Sequence, residues 1–179
     1  MLRLFTALPI PWDVAEALKR RQTGLPGARW RPGEALHVTL AFYGEVDERT
    51  ADDLASELER AATGGPFEIA LKGVGAFGDD HRSHTLWAGL EPNERLNVLA
   101  GRCRAAAERA GVRMETRAYR PHVTLAYLKT QTNPDRIGAW ITGHNLLHSP
   151  PIRIDRFGLW SSVLTDDGSA YELEREYLL

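Results

Sequence analysis

Apolar and polar residues alternate along several short segments, and this period of two predicts β-strands. The predicted strands are 2–8, 36–43, 67–77, 85–90, 122–129, 152–164 and 169–178. Helical spacing of apolar residues predicts helices near 11–22, 47–62 and 92–110, and a short one after Asn133. The glycines Gly73 and Gly75 indicate a bulge, and Asp166-Asp167-Gly168 indicates a hairpin turn. This mixture favours an α+β fold with antiparallel sheets over a doubly wound parallel sheet.

One short string occurs twice in predicted strands. The segment 37–42 reads HVTLAF, and the segment 122–127 reads HVTLAY. Because residues i and i+2 of a strand share a face, each copy presents a histidine and a threonine on one face and a valine and a leucine on the other. We therefore expect one face to build the core and the other to carry chemistry.

The spacing of the two copies, near half the chain length, predicts an internal pseudo-symmetry. We expect a single domain over residues 1–179, made of two pseudo-symmetric lobes. Each lobe carries one motif, near 37–40 and 122–125, and outer helices cover two antiparallel sheets around a central cleft. The cleft then brings one His-Thr pair from each lobe into a shared site.

Two opposed histidines fit acid–base cleavage of a phosphodiester. His37 and His122 can each give or take a proton near neutral pH, and Thr39 and Thr124 can donate hydroxyl hydrogen bonds to phosphate oxygens. A single His-x-Thr on a strand is ordinarily a surface pair, and a duplicated pair can be a relic of duplication without a site. Here, however, the polar positions are retained as fully as the apolar ones.

Composition excludes several other classes. Cys103 is the single cysteine, so neither a disulfide framework nor a cysteine zinc site is possible within the chain. The sequence has no Gly-x4-Gly-Lys phosphate loop and no nucleophile-elbow serine, and the two histidines lack companions at metal-ligand spacing. No apolar run approaches the length of a membrane span or a signal peptide. We expect a cytoplasmic protein with no cofactor, no metal and no obligate protein partner.

Positive charge is concentrated although the net charge is −2. The stretches 1–36 and 102–122 are rich in arginine, and each leads into a motif copy. This distribution fits a local phosphate site on an otherwise neutral to acidic molecule. Solvated helix faces with charge pairs four residues apart explain individual arginines equally well.

With both motifs in view, the chain resembles the two-histidine phosphoesterases, whose His-x-Thr/Ser-x motif occurs twice. Within them it is most similar to the bacterial and archaeal RNA 2′,3′-cyclic phosphodiesterases, also called 2′-5′ RNA ligases. Segments matching the usual order of that family are 3–7, Trp30, 42–44, Phe77, 87–89, 119–122, 161–164, Gly168 and Tyr171. The resemblance thus covers most of the chain.

The resemblance implies a bilobal α+β fold and metal-independent opening of a 2′,3′-cyclic phosphate to a 2′-phosphomonoester. It implies that His37 protonates the leaving 3′ oxygen, that His122 activates water, and that Thr39 and Thr124 bind phosphate oxygens. The implied partner is RNA with a 2′,3′-cyclic phosphate end. The reverse reaction, ATP-independent 2′-5′ joining to a 5′-hydroxyl, uses the same groups with exchanged roles.

The chain departs from the family pattern at Tyr127, where many members have an arginine. Lys129, Arg120 and Arg82 are the candidates for the missing phosphate-contacting cation. Phe42 and Tyr127 are candidate stacking platforms for an RNA base, or else pack within their own lobes.

Three functions remain open from the sequence. The favoured one is an RNA 2′,3′-cyclic phosphodiesterase with 2′-5′ ligase activity. The second is a cyclic phosphodiesterase that acts on a small nucleotide. The third is a non-catalytic module that binds RNA ends, in which Tyr127 reflects lost turnover.

Overall fold

A computed structural model of the chain describes residues 1–79, 82–166 and 168–179. Within these ranges the strands are β1 (Leu2–Pro9), β2 (Ala28–Trp30), β3 (His37–Val46), β4 (Phe67–Ile69), β5 (Leu71–Asp79), β6 (Arg82–Leu90), β7 (His122–Leu128), β8 (Ile152–Ile154), β9 (Arg156–Thr165) and β10 (Gly168–Leu178). The α-helices are α1 (Trp12–Lys19), α2 (Glu48–Leu58), α3 (Glu94–Arg109) and α4 (Pro134–His144). The α+β class is therefore confirmed.

Every strand pairing among the described residues is antiparallel. The large sheet has the order β10-β9-β1-β3-β7-β6-β5, and β2 pairs with β7 beside this path. The second sheet consists of β4 and β8. Two antiparallel sheets were predicted and are found, and the motif strands β3 and β7 are direct neighbours at the middle of the large sheet.

Helices cover the face of the large sheet opposite the motif histidines. α3 packs on β3, and α2 packs on β1 and α3. Behind β1 and β3, the Thr6 hydroxyl and the Tyr43 hydroxyl hydrogen-bond at 2.9 Å, so these two buried polar groups satisfy each other. Asp47 caps α2 by accepting a hydrogen bond from the Thr50 backbone N–H, as its position before the helix predicts.

The sequence pattern misses two features that affect the site. β2 lies within 24–33, a segment whose prolines and glycines predict a loop, because a three-residue strand leaves no alternation to detect. The predicted strand 67–77 is divided into β4 and β5, which belong to different sheets. The predicted bulge is confirmed, since Gly73 has φ +70° where the register between β5 and β6 shifts.

Parts of two segments, a polar one that predicts a loop and the predicted hairpin turn, lie outside the described residues. These are positions 80 and 81 of the polar segment 78–83, and position 167 of the hairpin signal between β9 and β10. Among the helices of the described ranges, none is long and apolar enough to cross a lipid bilayer.

The core behind the second motif can be tested with two matched leucine truncations. Leu125 is 0% exposed and Leu146 is 95% exposed. We expect Leu125→Ala to lower the free energy of unfolding by about 2–5 kcal/mol, because it leaves a cavity in the core. Leu146→Ala should change it by less than about 0.5 kcal/mol. Urea unfolding followed by circular dichroism measures both, and equal effects would contradict this core assignment.

Candidate active site

The four motif side chains meet on one face of the large sheet, which we call the site face. Val38 and Val123 are both 0% exposed on the opposite face and form the residue pair that joins β3 to β7. One position away from that pair, the antiparallel register sets His37 opposite Thr124, and likewise Thr39 opposite His122. The two histidines are then diagonal neighbours, with β-carbons roughly 7 Å apart. Both imidazoles therefore start from neighbouring positions on the same face of the sheet.

Both motif strands contain a bulge at the same place. Leu40 is skipped in the pairing of β3 with β1, and Leu125 is skipped in the pairing of β7 with β6. Each extra residue reverses the alternation that follows it. The alanine after each leucine is consequently buried, while Phe42 and Tyr127 return to the site face with 49% and 42% exposure.

The two histidine rings are held in the same orientation. Nδ1 of His37 donates to the carbonyl of Ala35 at 2.8 Å, and Nδ1 of His122 donates to the carbonyl of Arg120 at 2.7 Å. A carbonyl can only accept, so Nδ1 carries hydrogen in both rings. Nε2 is therefore the atom left to exchange a proton, accepting one when the ring is neutral and donating one when it is cationic.

Aromatic side chains fix the position of each imidazole. His37 lies 5.1 Å from the Phe5 ring centroid and 5.3 Å from that of Tyr171. His122 lies edge-on to Phe77 at 4.8 Å. These apolar contacts remove water from the rings, and this loss of water governs how the rings titrate.

Burial lowers the pKa of both histidines. For His37, burial has the largest effect; the bond to the Ala35 carbonyl opposes it, and the charges of Arg31 and His122 add to it. For His122, burial is again largest, the Arg120 carbonyl opposes it and the Arg120 charge adds to it. In the free protein both rings are therefore mostly neutral at pH 7, because burial lowers each pKa from the ordinary 6.5.

A cleft of about 1130 Å³ opens over the second motif. Its lining includes Thr39, His122 and Thr124, together with Phe42 and Tyr127. Thus three of the four motif side chains and both predicted stacking residues are brought together in one cleft. His37 is outside this lining, on the side of the array covered by Phe5 and Tyr171.

The three predicted cations are placed differently. Arg120 lines the cleft, and its guanidinium lies 4.8 Å from the Phe77 ring centroid. Lys129 is exposed just beyond β7 and is not part of the cleft lining. The side chain of Arg82 lies outside the described part of the chain, so its predicted role stays a prediction.

Two polar contacts of the site were not found by sequence reasoning. The Tyr119 hydroxyl donates to the Thr39 carbonyl at 2.9 Å and so ties the segment before the second motif to the first motif. Arg31 is 8% exposed and lies 5.5 Å from the ring centroids of Tyr127 and Tyr171. The sequence indicated Arg31 only through its place in the basic stretch 1–36, close to the first motif in sequence. A count of charges does not distinguish a buried arginine from a solvated one.

No group of three or more histidine, cysteine, aspartate or glutamate side chains in the described residues has the arrangement to hold a metal ion. The site thus consists of two imidazoles, two hydroxyls and nearby guanidinium groups, a set suited to acid–base chemistry on a phosphate ester.

The antiparallel fold and its paired His-x-Thr motifs define a two-histidine phosphoesterase. Residues 9–166 match the family model of the 2′-5′ RNA ligase superfamily, and the chain belongs to that family.

Relatives and solved structures agree with this membership. A Thermotoga maritima protein named RNA 2′,3′-cyclic phosphodiesterase is 31% identical over 179 residues, which cover 96% of this chain and 92% of that protein. An Archaeoglobus fulgidus protein of the same name is 27% identical, over 96% of this chain and 97% of its own. The crystal structure of TT0787 of Thermus thermophilus superposes with a TM-score of 0.83 at 26% identity, covering 99% of this chain and 98% of that one. Escherichia coli LigT complexed with 3′-AMP shares the fold, with a TM-score of 0.78 at 24% identity, over 99% of this chain and 98% of LigT.

The state of the histidine rings can be measured directly. We expect side-chain NMR titration to give midpoints below pH 6.5 for His37 and His122, because burial disfavours the imidazolium. Above the midpoints, both rings should be the Nδ1–H tautomer, because Nδ1 donates to a carbonyl. A midpoint above 6.5 in the free protein, or an Nε2–H tautomer in either ring, would contradict this geometry.

Proposed function

We propose that this protein hydrolyses 2′,3′-cyclic phosphate ends of RNA to 2′-phosphomonoesters, using His37 and His122 as its proton-transfer groups. The observation that carries the proposal is the diagonal placement of two equally oriented histidines, each beside a threonine of the other motif. The names of the relatives support the choice of RNA and of the cyclic ester.

The proposed reaction begins with water in the cleft. His122, which lines the open cleft, accepts a proton from water through Nε2 as the water oxygen attacks phosphorus. The bond from phosphorus to the 3′ oxygen breaks, and His37 in its cationic form gives the Nε2 proton to that oxygen. Thr39 and Thr124 donate hydroxyl hydrogen bonds to the non-bridging oxygens, where negative charge builds up.

Joining of two RNA ends needs no further groups. A 5′-hydroxyl takes the place of the attacking water, the cyclic ester opens, and a 2′-5′ linkage forms without ATP because the strained ester is already activated. The two histidines again transfer one proton each. We propose this ligation as a secondary activity of the same site.

Base recognition is proposed for the two aromatic side chains that the bulges return to the site face. Phe42 and Tyr127 are about half exposed in the cleft, so each offers a ring surface to a nucleobase. Arg3 lies 5.1 Å from the Phe42 ring centroid and can reinforce a stack there. Arg120 remains a candidate for contact with the RNA backbone at the cleft wall.

We further propose that residues 1–179 act as one domain whose two lobes meet at the motif strands, because both motifs are needed to complete the site. A cytoplasmic location, and action without a cofactor or a protein partner, stay predictions from the sequence.

Turnover of a short RNA with a 2′,3′-cyclic phosphate, assayed in EDTA, tests the proposed reaction. We expect a 2′-phosphate product, and a loss of about 10²–10⁴-fold in kcat for His37→Ala and for His122→Ala, because each removes one proton-transfer group. The matched control is His148→Ala, which removes a 61% exposed side chain paired with Glu91 and should leave kcat unchanged.

The alternatives predict different outcomes of the same assay. Turnover of 2′,3′-cyclic mononucleotides with no turnover of RNA would favour the small-nucleotide enzyme. RNA binding by the folded protein without any turnover would favour the binding module. A 3′-phosphate product, or full activity of either histidine variant, would contradict the proposed mechanism.

The pH dependence of turnover follows from the lowered histidine pKa values. The profile of kcat/KM reports the free enzyme, so both limbs of its bell should lie below pH 6.5. Above that pH, kcat/KM falls because the imidazole that must donate a proton has lost it. The two limbs of the kcat profile, which reports the enzyme–substrate complex, should lie at higher pH than those of kcat/KM. The bound phosphodiester anion favours imidazolium and so raises the histidine pKa values. Steady-state rates from pH 4.5 to 8.5 measure both profiles; a kcat/KM that still rises above pH 7 would contradict the assignment.

A further inference from the structure

Arg31 is a buried cation held beside the second motif. It follows β2, and its backbone N–H donates to the carbonyl of Leu125, the bulged residue of β7, at 2.8 Å. The Gln22 side chain donates to the same carbonyl at 3.1 Å. With 8% exposure, Arg31 is one of the few buried charged or polar residues among those described. Its position therefore depends on the same bulge that shapes the site.

The positive charge of Arg31 has no negative partner in the described residues. Its Nη2 donates to the Tyr171 hydroxyl at 3.2 Å, and its guanidinium lies over the rings of Tyr127 and Tyr171. No carboxylate lies within 4.0 Å of it in the part of the chain that the structure describes. Buried charges are ordinarily paired, because an unpaired one loses its hydration without compensation. An anionic ligand would supply this pairing.

The surroundings of the guanidinium leave it able to bind such an anion. Burial raises the pKa of Tyr171, so this hydroxyl stays neutral and does not neutralise the arginine. Only one hydrogen bond from the guanidinium to a side chain is found among the described residues, and a planar guanidinium has five N–H donors. Several donors thus remain for two oxygens of one phosphate.

The guanidinium is also close to His37, and one of its tyrosine neighbours lines the cleft of the second motif. Tyr171, which accepts its hydrogen bond, has its ring 5.3 Å from that of His37. Tyr127, whose ring centroid is 5.5 Å from the guanidinium, lines the cleft with His122 and Thr124. The charge therefore lies near the first histidine and against a residue of the cleft that contains the second.

We propose that Arg31 is the cation that binds the non-bridging oxygens of the substrate phosphate beside Thr39 and Thr124, and that Tyr127 and Tyr171 hold its guanidinium in place. This inference rests on the proposed cyclic phosphodiesterase function and names the cation of that site. Neither Arg120 nor Lys129 fits the role as well, because both are exposed. Binding an anion would cost each of them hydration, whereas the charge of Arg31 is already removed from water. Arg120 is in addition occupied by its contact with the Phe77 ring.

The first test compares turnover of the cyclic-phosphate RNA by arginine variants. Arg31→Met removes the charge but keeps an unbranched side chain, and we expect kcat/KM to fall about 10²–10³-fold, as for loss of a donor to a developing oxyanion. Arg31→Lys should show a smaller loss, because it keeps the charge but not the fork of donors. Arg153→Met, on the exposed side of β8, is the matched control and should match the wild-type rate.

Relocating the charge separates a binding role from a structural one. Because the Tyr127 ring lies under the guanidinium, an arginine at 127 can return positive charge to the same place. We expect the double variant Arg31→Met, Tyr127→Arg to have a kcat/KM at least tenfold higher than that of Arg31→Met alone. If Arg31 only holds the C-terminal hairpin through Tyr171, an arginine at 127 does not restore activity, and a failure to rescue in a folded double variant overturns the proposal.

Inorganic phosphate provides a readout that does not depend on turnover. Titration with phosphate, followed through the histidine side-chain NMR signals, should show binding to the wild type and at least tenfold weaker binding to Arg31→Met. The midpoint of His37 should also rise in Arg31→Met, because the arginine charge lowers its pKa. Equal phosphate affinity in both proteins overturns the role of Arg31. A wild type that binds phosphate through Arg31 but opens no cyclic phosphate contradicts the proposed function instead.

Discussion

The site depends on one junction in the sheet, the antiparallel pair Val38–Val123. This residue pair sets the register between β3 and β7, and the register decides which side chains of the two motifs face one another. A slip of β7 by one residue would turn His122 and Thr124 to the core face and Val123 to the site face, because side chains alternate between faces. Complete burial of Val123 makes such a slip costly, since it would expose an apolar side chain and bury an imidazole.

Burial also sets the electrostatics of the site. The same apolar surroundings that contact the imidazoles lower their pKa values, so the free site is mostly neutral at its two proposed proton-transfer groups and positive at Arg31. Such a site is prepared for an anion. In the proposed reaction, the negative charge of the bound phosphodiester both pairs with the guanidinium and favours protonation of one imidazole, which is the state that acid–base cleavage needs.

The central part of the site could be predicted from the sequence because it is local and repeated. Alternation within HVTL placed His37, Thr39 and their counterparts on one face, and two copies implied that they meet. What could not be predicted depends on long-range pairing. Leu40, Ala41 and Phe42 are all apolar, so the sequence pattern gives no sign of the bulge that puts Ala41 in the core and Phe42 on the site face. Arg31 follows a strand too short to show a period, and its burial results from tyrosines on β7 and β10 that are distant in sequence.

A crystal structure with a bound ribonucleoside 2′-monophosphate, the expected product, would test the joint use of both motifs most directly. We expect one phosphate group within hydrogen-bond distance of Nε2 of His37 and Nε2 of His122, with the Arg31 guanidinium on its non-bridging oxygens. A phosphate held by one motif alone, with the other histidine too far away to exchange a proton with it, would contradict the two-histidine site.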